Sequence, residues 1–110
     1  MSNENRKSPR ARISFPLKCE VSEKTSYFNS VSKDLSNGGV RVLSEQFIAP
    51  GDTVSLNINL IEKMISARAK VVWCNESEYG QRYLFGAEFV DMSEDDKNTL
   101  RSFLSLIFPS

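Results

Sequence analysis

From Ile13 to Val21 the chain alternates, with Ile13, Phe15, Leu17, Cys19 and Val21 on one face and Ser14, Pro16, Lys18 and Glu20 on the other. A period of two predicts a strand with one buried face. Pro16 cannot donate a ladder hydrogen bond, which predicts an edge strand or a local irregularity there. Cys19 falls in the inward register, as a small core residue and not a reactive thiol. Tyr27 to Lys33 predicts a second strand, leading through Asp34-Leu35-Ser36-Asn37-Gly38-Gly39 into a third over Val40 to Leu43. The Asn37-Gly38 pair predicts a hairpin turn, because both residues tolerate positive φ. Pro50-Gly51-Asp52 predicts a further turn. After it Val54, Leu56, Ile58 and Leu60 alternate with polar neighbours, then Ile65, Ala67, Ala69, Val71 and Trp73, then Tyr83, Phe85, Ala87 and Phe89. Six short strands joined by turns predict a closed barrel or a sandwich.

The pattern changes after Asp91. Ser93, with Asp96 three residues on, resembles a capping box, and Glu94, Asp95 and Asp96 suit the positive end of a helix dipole. Leu100, Phe103, Leu104 and Ile107 recur at helical spacing and predict one apolar stripe against the barrel, closed by Pro109.

Composition narrows the function. The 110 residues are 40% apolar and 25% charged, which suits a single domain able to bury its own core. Histidine is absent, and Cys19 and Cys74 lie far apart, so no Cys/His metal site and no metal are expected. An enzyme without histidine would have to rely on carboxylates, and these cluster where helix capping accounts for them, so catalysis is not expected. Neither a signal peptide nor an apolar run of about 20 residues is visible, which predicts a cytoplasmic protein that does not insert in a membrane. Formal net charge is zero, and residues 13–110 carry more acid than base, against a nucleic-acid partner. The balance is local: residues 1–12 hold Arg6, Lys7, Arg10 and Arg12 against Glu4. They are read as a flexible basic N-terminal segment ahead of a folded domain over 13–110.

Two short patterns can carry chemistry. Arg6 and Arg10 stand four apart, and Pro9 disfavours a helix, so an extended loop can bend two guanidinium groups around one object. Each offers a planar fork of donors that matches guanine O6 and N7 or a phosphate. A solvated basic tail is the plainer alternative. In Asp34-x-Ser36-x-x-Gly39, the carboxylate can accept from guanine N1 and N2 hydrogens, the hydroxyl can donate, and the glycine admits a close approach. A plain Asx-capped turn is the alternative there.

Taken together and in this order, the two patterns resemble the RxxxR and (D/N)xSxxG signatures of the PilZ family. The resemblance continues through GGVRVLS, APGDTVSLNI, ARAKVVW and FGAEFVDMSEDDKNTL, so it covers nearly the whole chain. It implies a six-stranded antiparallel β-barrel of PilZ type with a C-terminal α-helix. It further implies a single-domain receptor for cyclic di-GMP, with Arg6, Arg10, Asp34, Ser36 and Gly39 as the binding residues and no other cofactor. Lys7, Arg12, Arg41 and Trp73 are candidates for additional contacts. For Trp73, stacking on a guanine and burial in the core both remain open. The implied mechanism is ordering of the arginine segment by ligand, signalled to a protein target of motility, polysaccharide secretion or pilus machinery. A PilZ-fold interaction adaptor without nucleotide binding is the alternative, and it would be expected to have lost the motif residues that are present here.

Overall fold

The computed structural model describes residues 10–11, 14–21, 26–77 and 82–107. Eight strands precede one helix: β1 (Arg10–Ala11), β2 (Pro16–Val21), β3 (Ser26–Lys33), β4 (Leu35–Ser36), β5 (Gly39–Ser44), β6 (Thr53–Asn59), β7 (Met64–Glu76), β8 (Tyr83–Met92) and α1 (Glu94–Ile107). Six of them close an antiparallel barrel in the order β2-β3-β5-β8-β7-β6, while β1 and β4 form a separate small ladder. The six strands predicted from alternation are the six barrel strands. Their inward residues, among them Leu17, Cys19, Val42, Val54, Leu56, Ile58, Ile65, Val71 and Phe85, make one core. The period-two pattern works because each strand has one face inside the barrel and the other in solvent.

Closure corrects the expectation for Pro16. A closed barrel has no edge strand, and Pro16 is instead the first residue of β2, opposite Val31. A strand's first position tolerates the missing N–H. The turn at Pro50-Gly51 is as expected: Asp52 N–H donates to the Ala49 carbonyl at 3.0 Å, and Gly51 takes φ 98°, the geometry of a type II turn with proline then glycine at its centre.

Helix α1 starts where the capping pattern puts it, with the Ser93 hydroxyl accepting from Asp96 N–H at 3.1 Å. The Asp96 carboxylate does not complete the box; it accepts from Ser66 N–H of β7 at 3.0 Å and so ties the helix start to the barrel wall. Leu100 and Leu104 are buried, Phe103 and Ile107 pack on the core, and the Phe103 ring meets Phe15 edge-on at 5.2 Å. Among the described residues no helix is long and apolar enough to cross a membrane.

Two irregularities in the β7–β8 pairing decide which side chains reach the outer wall. Register shifts occur between Arg68 and Ala69 and between Val71 and Trp73, which leave Val90 and Val72 as the unpaired extra residues. A bulge of this kind reverses which side chains face inward beyond it. Val71 opposite Ala87 is buried, but past Val72 it is Cys74, opposite Phe85, that packs on the core. Trp73 is thereby turned out of the barrel.

Candidate functional site

The Asp34-to-Gly39 pattern connects β3 to β5, where the sequence put the turn, but the turn is not made by the Asn-Gly pair. The last β3–β5 pair is Lys33 with Arg41, so residues 34–40 form a broad connection. Neither Asn37 nor Gly38 has positive φ; that conformation belongs to Asp34, at φ 48°. Aspartate and asparagine are the side chains that best tolerate the left-handed region, so the backbone itself favours one of these two residues here. The bend at Asp34 redirects the chain out of β3 and lets Leu35 and Ser36 form β4.

Ser36 holds the rest of the turn. Its hydroxyl accepts from Gly38 and Gly39 N–H, each at 3.3 Å, and donates to the Gly39 carbonyl at 3.3 Å. One donor and two acceptor sites are all a hydroxyl has, so its capacity is taken up within the turn. Gly39 is required for space and not for φ: a Cβ there would run into the Ala87 carbonyl of β8. Phe89 N–H donates to the Gly38 carbonyl at 3.0 Å, which pins the turn to β8 from the other side.

Arg10 meets this turn through the backbone. In the β1–β4 ladder Arg10 lies opposite Ser36 and Ala11 opposite Leu35. The last residue of the arginine pattern is thus beside Ser36 of the other pattern, with buried Leu35 anchoring the β4 side of the ladder. Arg6, Lys7 and Arg12 fall outside the described residues.

The outer face beside the turn carries an ordered row. Trp73 of β7 is opposite Gly86 of β8, Gly86 is opposite Arg41 of β5, and Arg41 is opposite Lys33 of β3. Paired residues share a face of a sheet. Since Arg41 stands between the inward-facing Val40 and Val42, that face is the outer one. The Trp73 indole rests directly on Gly86, where any Cβ would collide with its ring. Trp73 is thus half-buried on the outer wall and outside the core. Arg41 donates to the Asp34 carboxylate in an ion pair, with the Asp34 side chain 12% exposed and that of Arg41 43%. The sequence singled out neither Gly86 nor Lys33. A lone glycine inside the alternating FGAEFV run was the available signal for Gly86, because glycine in a strand interior marks a close approach.

The arrangement places a carboxylate, two cations, a flat aromatic surface and the Arg10 strand around one patch. Hydrogen-bond donors, acceptors and a ring face together suit a planar, anionic, heteroaromatic ligand. No group of three or more potential metal ligands occurs among the described residues.

A family model for the PilZ domain matches residues 4–106. No curated protein sequence matches the chain. The fold is similar to that of the Bacillus subtilis inhibitor of motility MotI/DgrA (TM-score 0.78, 17% identity, covering 97% of this chain and 54% of that one). It is also similar to the PilZ domain with c-di-GMP of YcgR from Escherichia coli (TM-score 0.69, 16% identity, 92% and 89% covered). A third likeness is to the K. pneumonia MrkH–c-di-GMP complex (TM-score 0.74, 18% identity, 94% and 53% covered). The chain therefore spans about half the length of MotI/DgrA and of MrkH, and nearly all of the YcgR domain. From the family model, which spans nearly the whole chain, the chain belongs to the PilZ domain family.

Proposed function

We propose that this PilZ domain is a receptor for cyclic di-GMP that works by binding and not by catalysis. The observation that carries the reading is the register of Arg10 against Ser36, which sets the end of the arginine pattern beside the Asp34–Gly39 turn. Asp34 would accept from N1 and N2 of one guanine, while Arg6 and Arg10 meet guanine O6 and N7 and the phosphates through charge-assisted bonds. Ser36 and Gly39 shape the turn on which that base rests, and Trp73 offers a ring face on the adjacent wall. Lys7 and Arg12 extend the positive charge of the same segment.

Signalling follows from where the arginine segment is tied. Among the described residues β1 pairs with β4 through Arg10 and Ala11 alone, and ordering each further residue of the segment costs roughly 1–2 kcal/mol in backbone entropy. A ligand bridging Arg6 and Arg10 to the turn would supply that ordering and present a changed surface to a protein target. The name of one similar structure, an inhibitor of motility, supports looking for that target first in motility machinery.

Calorimetry of the full chain tests the reading. Cyclic di-GMP should bind and cyclic di-AMP should not, because adenine presents N6 hydrogens where guanine presents O6 and arginine has no acceptor to meet them. Equal affinity for the two would contradict guanine recognition, and binding of neither would favour the ligand-independent adaptor.

A further inference from the structure

Arg41 belongs to neither signature pattern, yet it is the residue that holds Asp34. Its guanidinium donates to one carboxylate oxygen, Oδ2, and among the described residues it is Asp34's only ionic partner. The pair spans the point where the chain leaves the barrel: Arg41 sits on the last β3–β5 rung, opposite Lys33, and Asp34 follows at positive φ. Arg41 Nε is buried and has no partner among the described residues. An unpaired buried donor is unfavourable, so the pose of this guanidinium is set by Asp34 at its tip and not by bonds along its stem.

We propose that Arg41 is a positioning residue for guanine recognition, fixing the Asp34 carboxylate by one oxygen so that the other is aimed at the N1 and N2 edge of the base. The proposal rests on the cyclic di-GMP reading above. Asp34 is nearly buried and leaves the barrel in a left-handed bend, so its carboxylate has few rotamers, and Arg41 selects among them. One oxygen suffices for the arginine, and a carboxylate has about four lone-pair sites, so holding and reading are compatible. Arg41 acts through Asp34 and contributes nothing once Asp34 is gone.

A double-mutant cycle tests this, using calorimetry of the full chain with cyclic di-GMP. Arg41→Ala should weaken binding roughly tenfold in the parent and leave it unchanged in an Asp34→Ala background, as for two groups that act as a unit. Arg41→Lys, whose ammonium can hold one oxygen, should recover most of the loss. The preference for cyclic di-GMP over its hypoxanthine analogue cyclic di-IMP, which lacks the N2 amine, should fall together in Arg41→Ala and Asp34→Ala. Equal losses from Arg41→Ala in both backgrounds would overturn the proposal by making Arg41 a direct ligand contact. Tighter binding by Arg41→Ala would overturn it by making the ion pair a competitor of the ligand. A parent that fails to bind cyclic di-GMP would instead remove the site reading itself.

Discussion

The inside of the barrel and the outer patch beside β1 and β4 are built from the same strands by opposite rules. Inside, Val42, Leu56, Ile58, Ile65 and Phe85 interlock with almost no exposed area and serve to fill space. Outside, a left-handed aspartate, a glycine pressed on a carbonyl, an indole lying on another glycine and a guanidinium whose buried Nε has no partner among the described residues sit within a few residues of one another. Neighbouring positions on one strand divide the labour: Val40 and Val42 stabilise the barrel, and Arg41 between them faces the site. Stability and recognition should therefore respond to different mutations, and a substitution that moves both marks a residue shared by the two regions.

The largest separation is expected from the core. Leu56→Ala should lower unfolding free energy by about 2–5 kcal/mol in denaturant titrations, with the cyclic di-GMP Kd of the folded fraction unchanged. A changed Kd would mean that the interior and the patch are coupled. Next in size is a pH effect confined to the interior. Burial pushes the Cys19 thiol from its usual 9.0 up to about 12, so the folded chain keeps a proton that the unfolded chain loses. That contribution is intact below pH 9 and is lost as pH rises from 9 towards 12, by a few kcal/mol at most. Cys19→Ala should flatten the fall in stability over this window relative to the parent, while leaving binding alone.

Gly39→Ala should break the separation. The added methyl meets the β8 backbone, which cannot yield without moving Ala87, so about 1–3 kcal/mol of stability and most of the affinity should go together. Loss of affinity at full stability would show that the glycine serves the ligand directly. Arg10→Ala sharpens the contrast from the other side. It should cost on the order of 1–3 kcal/mol of binding, roughly 5- to 150-fold, with an unchanged melting temperature. Amide exchange should in turn find residues 5–12 more protected with cyclic di-GMP than without it, the strands changing little. Equal protection in both states would remove the ordering switch and leave a passive site.

How much of this the sequence carried divides along the same line. The six barrel strands were legible because burial on one face writes a period of two, and α1 was legible because burial of one stripe writes a period near 3.6. The bulges at Val72 and Val90 were not, since both residues suit a strand and nothing local marks the shift, and Trp73 is ambiguous in sequence for that reason alone. Within the site, the two signature patterns were visible as patterns. The positive φ of Asp34, its pairing with Arg41 and the rest of Trp73 on Gly86 arise from strands that meet only after the barrel closes. Pro16 misled for a related reason: sequence shows the missing donor, but only closure shows that the first position of an interior strand can absorb it.

The central claim is that the arginine segment and the Asp34–Gly39 turn form one site with the outer wall beside them. Titrating the isotopically labelled chain with cyclic di-GMP, and following each backbone amide and the Trp73 indole by nuclear magnetic resonance, tests it most directly. The largest shifts should fall on Asp34, Ser36, Gly39, Arg41, Gly86, the Trp73 indole and the segment ending at Arg10. Shifts centred instead on the apolar groove between the β6–β7 connection and α1, around Ile61 and Leu106, would contradict it.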